Sequence, residues 1–217
     1  MTGRLIIGLM LTFLLGPGPA WLAPALVAAA GPEIEVREYK GQKLDPFDRA
    51  YDNSIKGPQE VDPGTFRLKV EGLVDKPLAL SYEEVLALPR QEKVIVLHCV
   101  EGWSEKLLFE GVRLKDLLDL ARPKPGAVKV IFWAADGYSS ALPLSYLLER
   151  GIILAARING LKLDSRRGFP FQLVAEDKLG YKWVKWVVRL ELTDKDYQGF
   201  WEQRGYSNEA PVPADRK

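Results

Sequence analysis

Val94–Ser104 reads Val-Ile-Val-Leu-His-Cys-Val-Glu-Gly-Trp-Ser and holds the chain's one cysteine, Cys99, and its one histidine, His98. Val94–Leu97 is an unbroken run of β-branched and leucine side chains, the pattern of a buried strand. Glu101-Gly102-Trp103-Ser104 ends that run and reads as a loop. A thiol at the junction of a central strand and a loop sits on a rigid scaffold beside an irregular segment, a usual setting for chemistry. The same thiol can also be read as a small buried hydrophobe. The rest of the sequence decides between the two.

The chain has 217 residues, with hydrophobic residues at 47% and charged residues at 27%. That is enough for one domain with a sizeable core. The formal net charge of +1 provides no global field for nucleic acid. One cysteine excludes an intrachain disulfide, and with one histidine it also excludes a zinc site built from Cys and His alone. Any metal bound at Cys99 must bring most of its ligands with it, or take them from carboxylates.

N-terminal to the decisive stretch, Arg4, the apolar Leu5–Leu15 and the small residues Ala28-Ala29-Ala30 have the form of a secretory signal peptide. The alternative is an uncleaved membrane anchor over residues 1–30. Either one predicts export, to the periplasm or tethered to the membrane facing it. Residues 31–64 are polar and rich in turn formers, which predicts an extended arm. Residues 65–217 read as one α+β domain, mostly β, with short connecting helices. Strands are expected at Thr65–Val74, Ala127–Ala135, Tyr138–Leu142, Ile152–Ile158, Phe169–Ala175 and Trp186–Leu192. Ser81-Tyr82-Glu83-Glu84 is a capping box that opens a short helix to Leu88. Arg113–Ala121 and Leu144–Arg150 have helical spacing, and Asn159-Gly160 is a strong hairpin signal. The stretch between the cysteine loop and Arg113 is assigned no element.

Four further clusters carry candidate chemistry. In Gly180-Tyr181-Lys182-Trp183-Val184-Lys185-Trp186, two lysines three apart would share a face of a helical turn and could receive a phosphate. In Arg166-Arg167-Gly168-Phe169-Pro170, an arginine fork could grip an oxyanion. Asn53 in the arm has donors and an acceptor for a heterocycle. Asp136-Gly137-Tyr138 places a tyrosine after a turn. Each alone is also a charged loop, an Asx turn or packing.

Taken in order, these motifs resemble the molybdopterin-binding domain of the sulfite oxidase superfamily, from about Asn53 to Ala210. The resemblance implies a molybdenum ion carried by one pyranopterin (molybdopterin), with the Cys99 thiolate as the protein's metal ligand. It implies that Asn53, Arg167, Lys182 and Lys185 hold the pterin and its phosphate, and that Tyr138 lines the substrate mouth as a catalytic-site residue. Cys-Val-Glu-Gly-Trp-Ser is closer to the branch of bacterial periplasmic methionine-sulfoxide reductase catalytic subunits and their small relatives than to catabolic sulfite oxidases. The latter carry arginines soon after the cysteine and an added dimerisation domain. The chain departs from the reductase branch at Asp52-Asn53, at His98 in place of an arginine, and in having no twin-arginine pair. The expected reaction is two-electron oxygen-atom transfer, as reduction of small S- or N-oxides. Sulfite oxidation is the alternative, and a cofactor-free protein-binding domain is the alternative of another class. No haem or flavin motif is present, so electrons are expected to come from an external protein, a cytochrome or a quinone-linked membrane subunit. A monomer is expected.

Overall fold

A computed structural model describes residues 33–49 and 53–216. The expected signal or anchor segment lies outside the described residues. Strands β1 (Glu38–Tyr39) and β2 (Gln42–Lys43) form a small hairpin turned by Lys40 and Gly41, both at positive φ. Then follow β3 (Leu68–Gly72), β4 (Leu78–Leu80), α1 (Tyr82–Leu86), β5 (Arg90–His98), β6 (Ser104–Arg113) and α2 (Leu114–Ala121). The chain continues through β7 (Lys129–Ala134), β8 (Ser139–Pro143), α3 (Leu144–Glu149), β9 (Ile153–Ile158), β10 (Leu161–Lys162), β11 (Gln172–Val174) and β12 (Val187–Thr193). This is the mostly β, α+β architecture read from the sequence.

Two larger sheets share one core. The first has the order β10-β9-β6-β5, with β11 also pairing β9; the second has the order β4-β3-β12-β7-β8. Pairing is antiparallel except between β12 and β3. Leu107, Phe109 and Val112 of β6 join Leu68, Val70, Phe132 and Leu190 of the other sheet in a continuous apolar cluster. Burial of such side chains stabilises a fold by roughly 1.5–3 kcal/mol each.

Strand β6 is the main element the sequence did not declare. It pairs with β5 on one side and β9 on the other, and Leu107, Leu108 and Phe109 are all buried. A strand covered on both faces loses period-two alternation. Its register against β9 shifts between Glu110 and Gly111, and a Cβ on Gly111 would lie 1.9 Å from the Leu154 carbonyl oxygen. Only glycine admits that approach.

The segment ahead of β3 carries the β1–β2 hairpin, and the side chain of buried Asn159 ties it to the domain. At the β9–β10 turn this residue takes φ 51, and its side chain accepts from Leu108 N–H at 3.0 Å and donates to the Asp45 carbonyl at 2.8 Å. The Asp45 carboxylate in turn accepts Lys106 N–H at 2.8 Å. The expected strand at Phe169–Ala175 is confined to β11, because Gly168 at φ +96 and the turn after it hold the preceding residues out of the ladder. The capping box is formed, with Ser81 Oγ accepting Glu84 N–H at 3.1 Å and Glu84 Oε2 accepting Ser81 N–H at 2.7 Å.

A buried ion pair joins a 3-10 turn at Glu202–Arg204 to β8. Lys182 Nζ donates to Glu202 and to the Ala141 carbonyl, and Ser140 Oγ donates to the same carboxylate at 2.6 Å. Burial pushes the Lys182 pKa down, and Glu202 opposes that shift. Removing the carboxylate leaves a buried ammonium without its counter-charge. Glu202→Ala should therefore lower unfolding free energy by about 3–5 kcal/mol, read from urea denaturation; a loss below about 1 kcal/mol would mean the pair contributes little.

Candidate active site

The antiparallel register of β5 and β6 runs from Arg90↔Val112 to His98↔Ser104, so Cys99–Trp103 is the tip of a hairpin. Cys99 N–H donates to the Trp103 carbonyl at 3.0 Å, and Gly102, at φ +97, donates its N–H to the Cys99 carbonyl at 3.2 Å. Leu97 and Cys99 share a face of the strand end and open on a cavity of about 360 Å³. That volume is within the range of small-molecule sites. Its walls also include Asn53 of the arm, Asp136 and Tyr138 of the β7–β8 turn, Arg166 and Arg167, the 181–186 turn, and Trp201 and Tyr206.

The Glu101 carboxylate organises the mouth. Its Oε2 accepts from Asn53 Nδ2 at 3.0 Å and Trp103 Nε1 at 3.0 Å, and lies 3.8 Å from Cys99 Sγ. Hydrogen bonds from Asn53 and then Trp103 hold the Glu101 pKa below the usual carboxylate value, so it is ionised at neutral pH. Cys99 is 6% exposed. Burial pushes its thiol pKa up, and the neighbouring Glu101 charge adds to the rise. Without a metal, the thiol is therefore protonated and weakly nucleophilic.

The cationic residues divide into two groups. Arg167 lines the cavity, but all three guanidinium nitrogens are engaged: Nη1 with Glu105 at 2.9 Å, Nε with the Phe47 carbonyl at 2.9 Å, and Nη2 with the same carbonyl at 2.7 Å. This nearly buried pair welds the arm to β6, so Arg167 is not the free oxyanion fork expected from the sequence. Lys182 is likewise corrected. It does not line the cavity, because the 3-10 turn Gly180–Lys182 ends there and turns its side chain inward to Glu202. The shared lysine face is not formed. Lys185 and Arg166 do line the cavity, with Lys185 Nζ donating to the Arg166 carbonyl at 3.0 Å. Trp186 beside them is held at φ 50, a conformation costly for a bulky residue and found where surroundings over-determine it.

Tyr138 lines the cavity, with its hydroxyl donating to the Tyr181 carbonyl. Burial pushes its pKa far above the usual tyrosine value. It contributes a ring and a committed hydroxyl, not a ready acid or base. Trp183 and Trp186 are buried and also form part of the wall. Two residues were missed. Glu105 gave no signal because it sits on the unrecognised strand. Asp136 was read only as a turn former: Oδ1 accepts Tyr138 N–H at 2.8 Å, while Oδ2 is buried without a hydrogen-bond partner among the described residues.

The domain thus presents a lone thiol at the end of a β-hairpin to a cavity rimmed by aromatics and cations. Residues 55–201 match the family model for the oxidoreductase molybdopterin binding domain, and the chain belongs to that family. The oxidoreductase YuiH of Bacillus subtilis is 38% identical over 69% of this chain and 76% of its own length. The protein-methionine-sulfoxide reductase catalytic subunit of Gluconobacter oxydans is 31% identical over 67% of this chain and 52% of its own length. Among solved structures, the sulfane dehydrogenase SoxCD from Paracoccus pantotrophus superposes with a TM-score of 0.61 at 28% identity, covering 64% of this chain and 41% of that one. The chain thus spans about half or less of the latter two relatives. The sulfite-oxidase-type fold and the molybdopterin-dependent oxidoreductase class agree with the sequence reading.

The residues present suit a molybdopterin. Among the described residues no cluster of three or more His, Cys, Asp or Glu could hold a metal by itself, so an ion at Cys99 needs ligands carried by a cofactor. A thiolate is a soft donor suited to a metal already bound by sulfur. The unsatisfied Asp136 oxygen is an acceptor suited to the N–H groups of a pterin. Neutralising Glu101 should lower the Cys99 pKa. In cofactor-free protein, Glu101→Gln is expected to raise the iodoacetamide reaction rate of Cys99 at pH 7; an unchanged or slower rate would show that the carboxylate does not govern the thiol.

Proposed function

We propose that this chain reduces small S- or N-oxides by two-electron oxygen-atom transfer at a molybdenum held by one pyranopterin and by Cys99. The carrying observation is the ionised Glu101 carboxylate, 3.8 Å from Cys99 Sγ. An anionic substrate approaching that sulfur meets a negative charge, and its desolvation is costly without a paired cation. A neutral oxide has no such penalty, and the rings of Trp103 and Tyr138 offer it an apolar wall. The reductase name of the Gluconobacter relative supports the same direction, whereas the dehydrogenase name of the Paracoccus structure favours oxidation of a sulfur substrate.

When bound, the molybdenum supplies the oxygen-atom exchange and the two-electron change. Cys99 provides the thiolate ligand. Asn53, held to Glu101 at the mouth, would meet the cofactor. Asp136 Oδ2, buried without a partner among the described residues, would accept from the pterin, and Lys185 with Arg166 would receive its phosphate. Arg167 supports this wall through Glu105. Electrons arrive from a separate carrier protein, and the apolar segment after Arg4 supports export to the periplasm or a membrane tether.

Protein from a cofactor-competent host should carry molybdenum, and Cys99→Ser should lose activity because a neutral hydroxyl is a poor ligand for a soft, sulfur-bound metal. Full turnover by that variant would remove Cys99 from the site. Steady-state assays should compare sulfoxides and N-oxides plus reduced viologen with sulfite plus ferricyanide. We expect kcat/KM for at least one oxide to exceed that for sulfite by more than about tenfold; the reverse order would establish sulfite oxidation instead.

A further inference from the structure

The segment after residue 201 lies outside the family match, yet it is fastened to the domain and returns to the cysteine loop. Tyr181 Oη donates to the Ser207 carbonyl at 2.7 Å, and Leu179 N–H donates to the Ala210 carbonyl at 2.8 Å. The Val212 N–H donates to the Asp177 carbonyl at 3.2 Å. Ala210 and Val212 are buried, so the segment is anchored by packing as well as by its backbone. A 3-10 turn at Ala214–Arg216 then carries Arg216 behind the hairpin tip.

There the guanidinium joins the two ends of the loop. Arg216 Nη1 donates to the Cys99 carbonyl at 2.8 Å and Nη2 donates to the Trp103 carbonyl at 3.0 Å. The planar fork fixes the separation of two acceptors, which a flexible ammonium cannot do as well. Hydrogen bonds from a charged donor are also about twice as strong as neutral ones. The middle of the loop has little packing to do this work. Val100 is 43% exposed, and nothing lies within 4 Å of where a Cβ on Gly102 would stand.

We infer that Arg216 is a positioning residue: it fixes the direction in which Cys99 presents its sulfur by clamping the Cys99 and Trp103 carbonyls from outside the cavity. It does not line the cavity, so its effect passes through the loop. The clamp stands on the geometry alone; its consequence for the metal rests on the proposed role of Cys99.

The test uses the full chain, produced in a host that makes the cofactor and in one that does not. In Arg216→Ala, amide hydrogen exchange over residues 99–103 should quicken by about tenfold or more in both preparations, the loss expected for charge-assisted bonds. Exchange in β7 and β12 should stay at the parent rate. Arg216→Lys, which keeps the charge but has a single donor nitrogen in place of the fork, should recover part of the protection. In the loaded protein, the thiolate-to-metal absorption should shift in Arg216→Ala and move back in Arg216→Lys. Loop exchange at the parent rate in Arg216→Ala overturns the clamp. So does a parallel rise in the loop and both strands, which marks a general stabiliser. A faster loop with unchanged absorption supports the clamp and counts instead against Cys99 as the metal ligand.

Discussion

The pairing register of β5 with β6 is the constraint on which the site depends. Side chains alternate along a strand, so a slip of one residue would turn Leu97 and Cys99 from the cavity and present His98 in their place. Several contacts hold that register. Leu107 and Phe109 must face the core, Gly111 must admit the Leu154 carbonyl, and Asn159 must meet the Leu108 backbone. None of these touches the cavity, yet all three decide which atom faces it.

Buried charge has a structural use in this domain. Arg167 with Glu105 joins a connecting segment to a strand, and Lys182 with Glu202 joins two 3-10 turns that both bond β8. Buried pairs are weak sources of net stability, but breaking one is costly. They keep the arm and the Glu202–Arg204 turn in register with the cavity wall. Lys185 and Arg166, less buried, line the cavity itself. The site therefore has a carboxylate side, at Glu101, and a cationic side, at Lys185, as a bound group with a metal at one end and a phosphate at the other would require.

Much of this was legible in the sequence because local chemistry carried it. The apolar run before Cys99, the capping box at Ser81 and Asn159-Gly160 each specify geometry over a few residues. Asn53, Cys99, Tyr138 and Lys185, singled out from the order of the motifs, all line the cavity. What sequence could not supply was the orientation of side chains relative to distant partners. Lys182 and Lys185 are three apart, but the 3-10 turn ends between them, and a carboxylate twenty positions on takes the first. Strand β6 hid because burial on both faces erases alternation. Arg216 hid because its partners are main-chain carbonyls, which have no sequence signature.

The walls of the cavity are drawn from positions as far apart as Asn53 and Tyr206. No local piece of the chain can form it, so it exists only in the fully assembled domain. A cofactor binding there binds the native state and not the unfolded one, and linkage then adds RT ln(1 + [L]/Kd) to the stability of the whole domain. Loading and folding become a single thermodynamic quantity. A cell short of the cofactor would hold less active enzyme and also a larger fraction of chains open to proteolysis, so the supply of the cofactor would set the abundance of the protein itself.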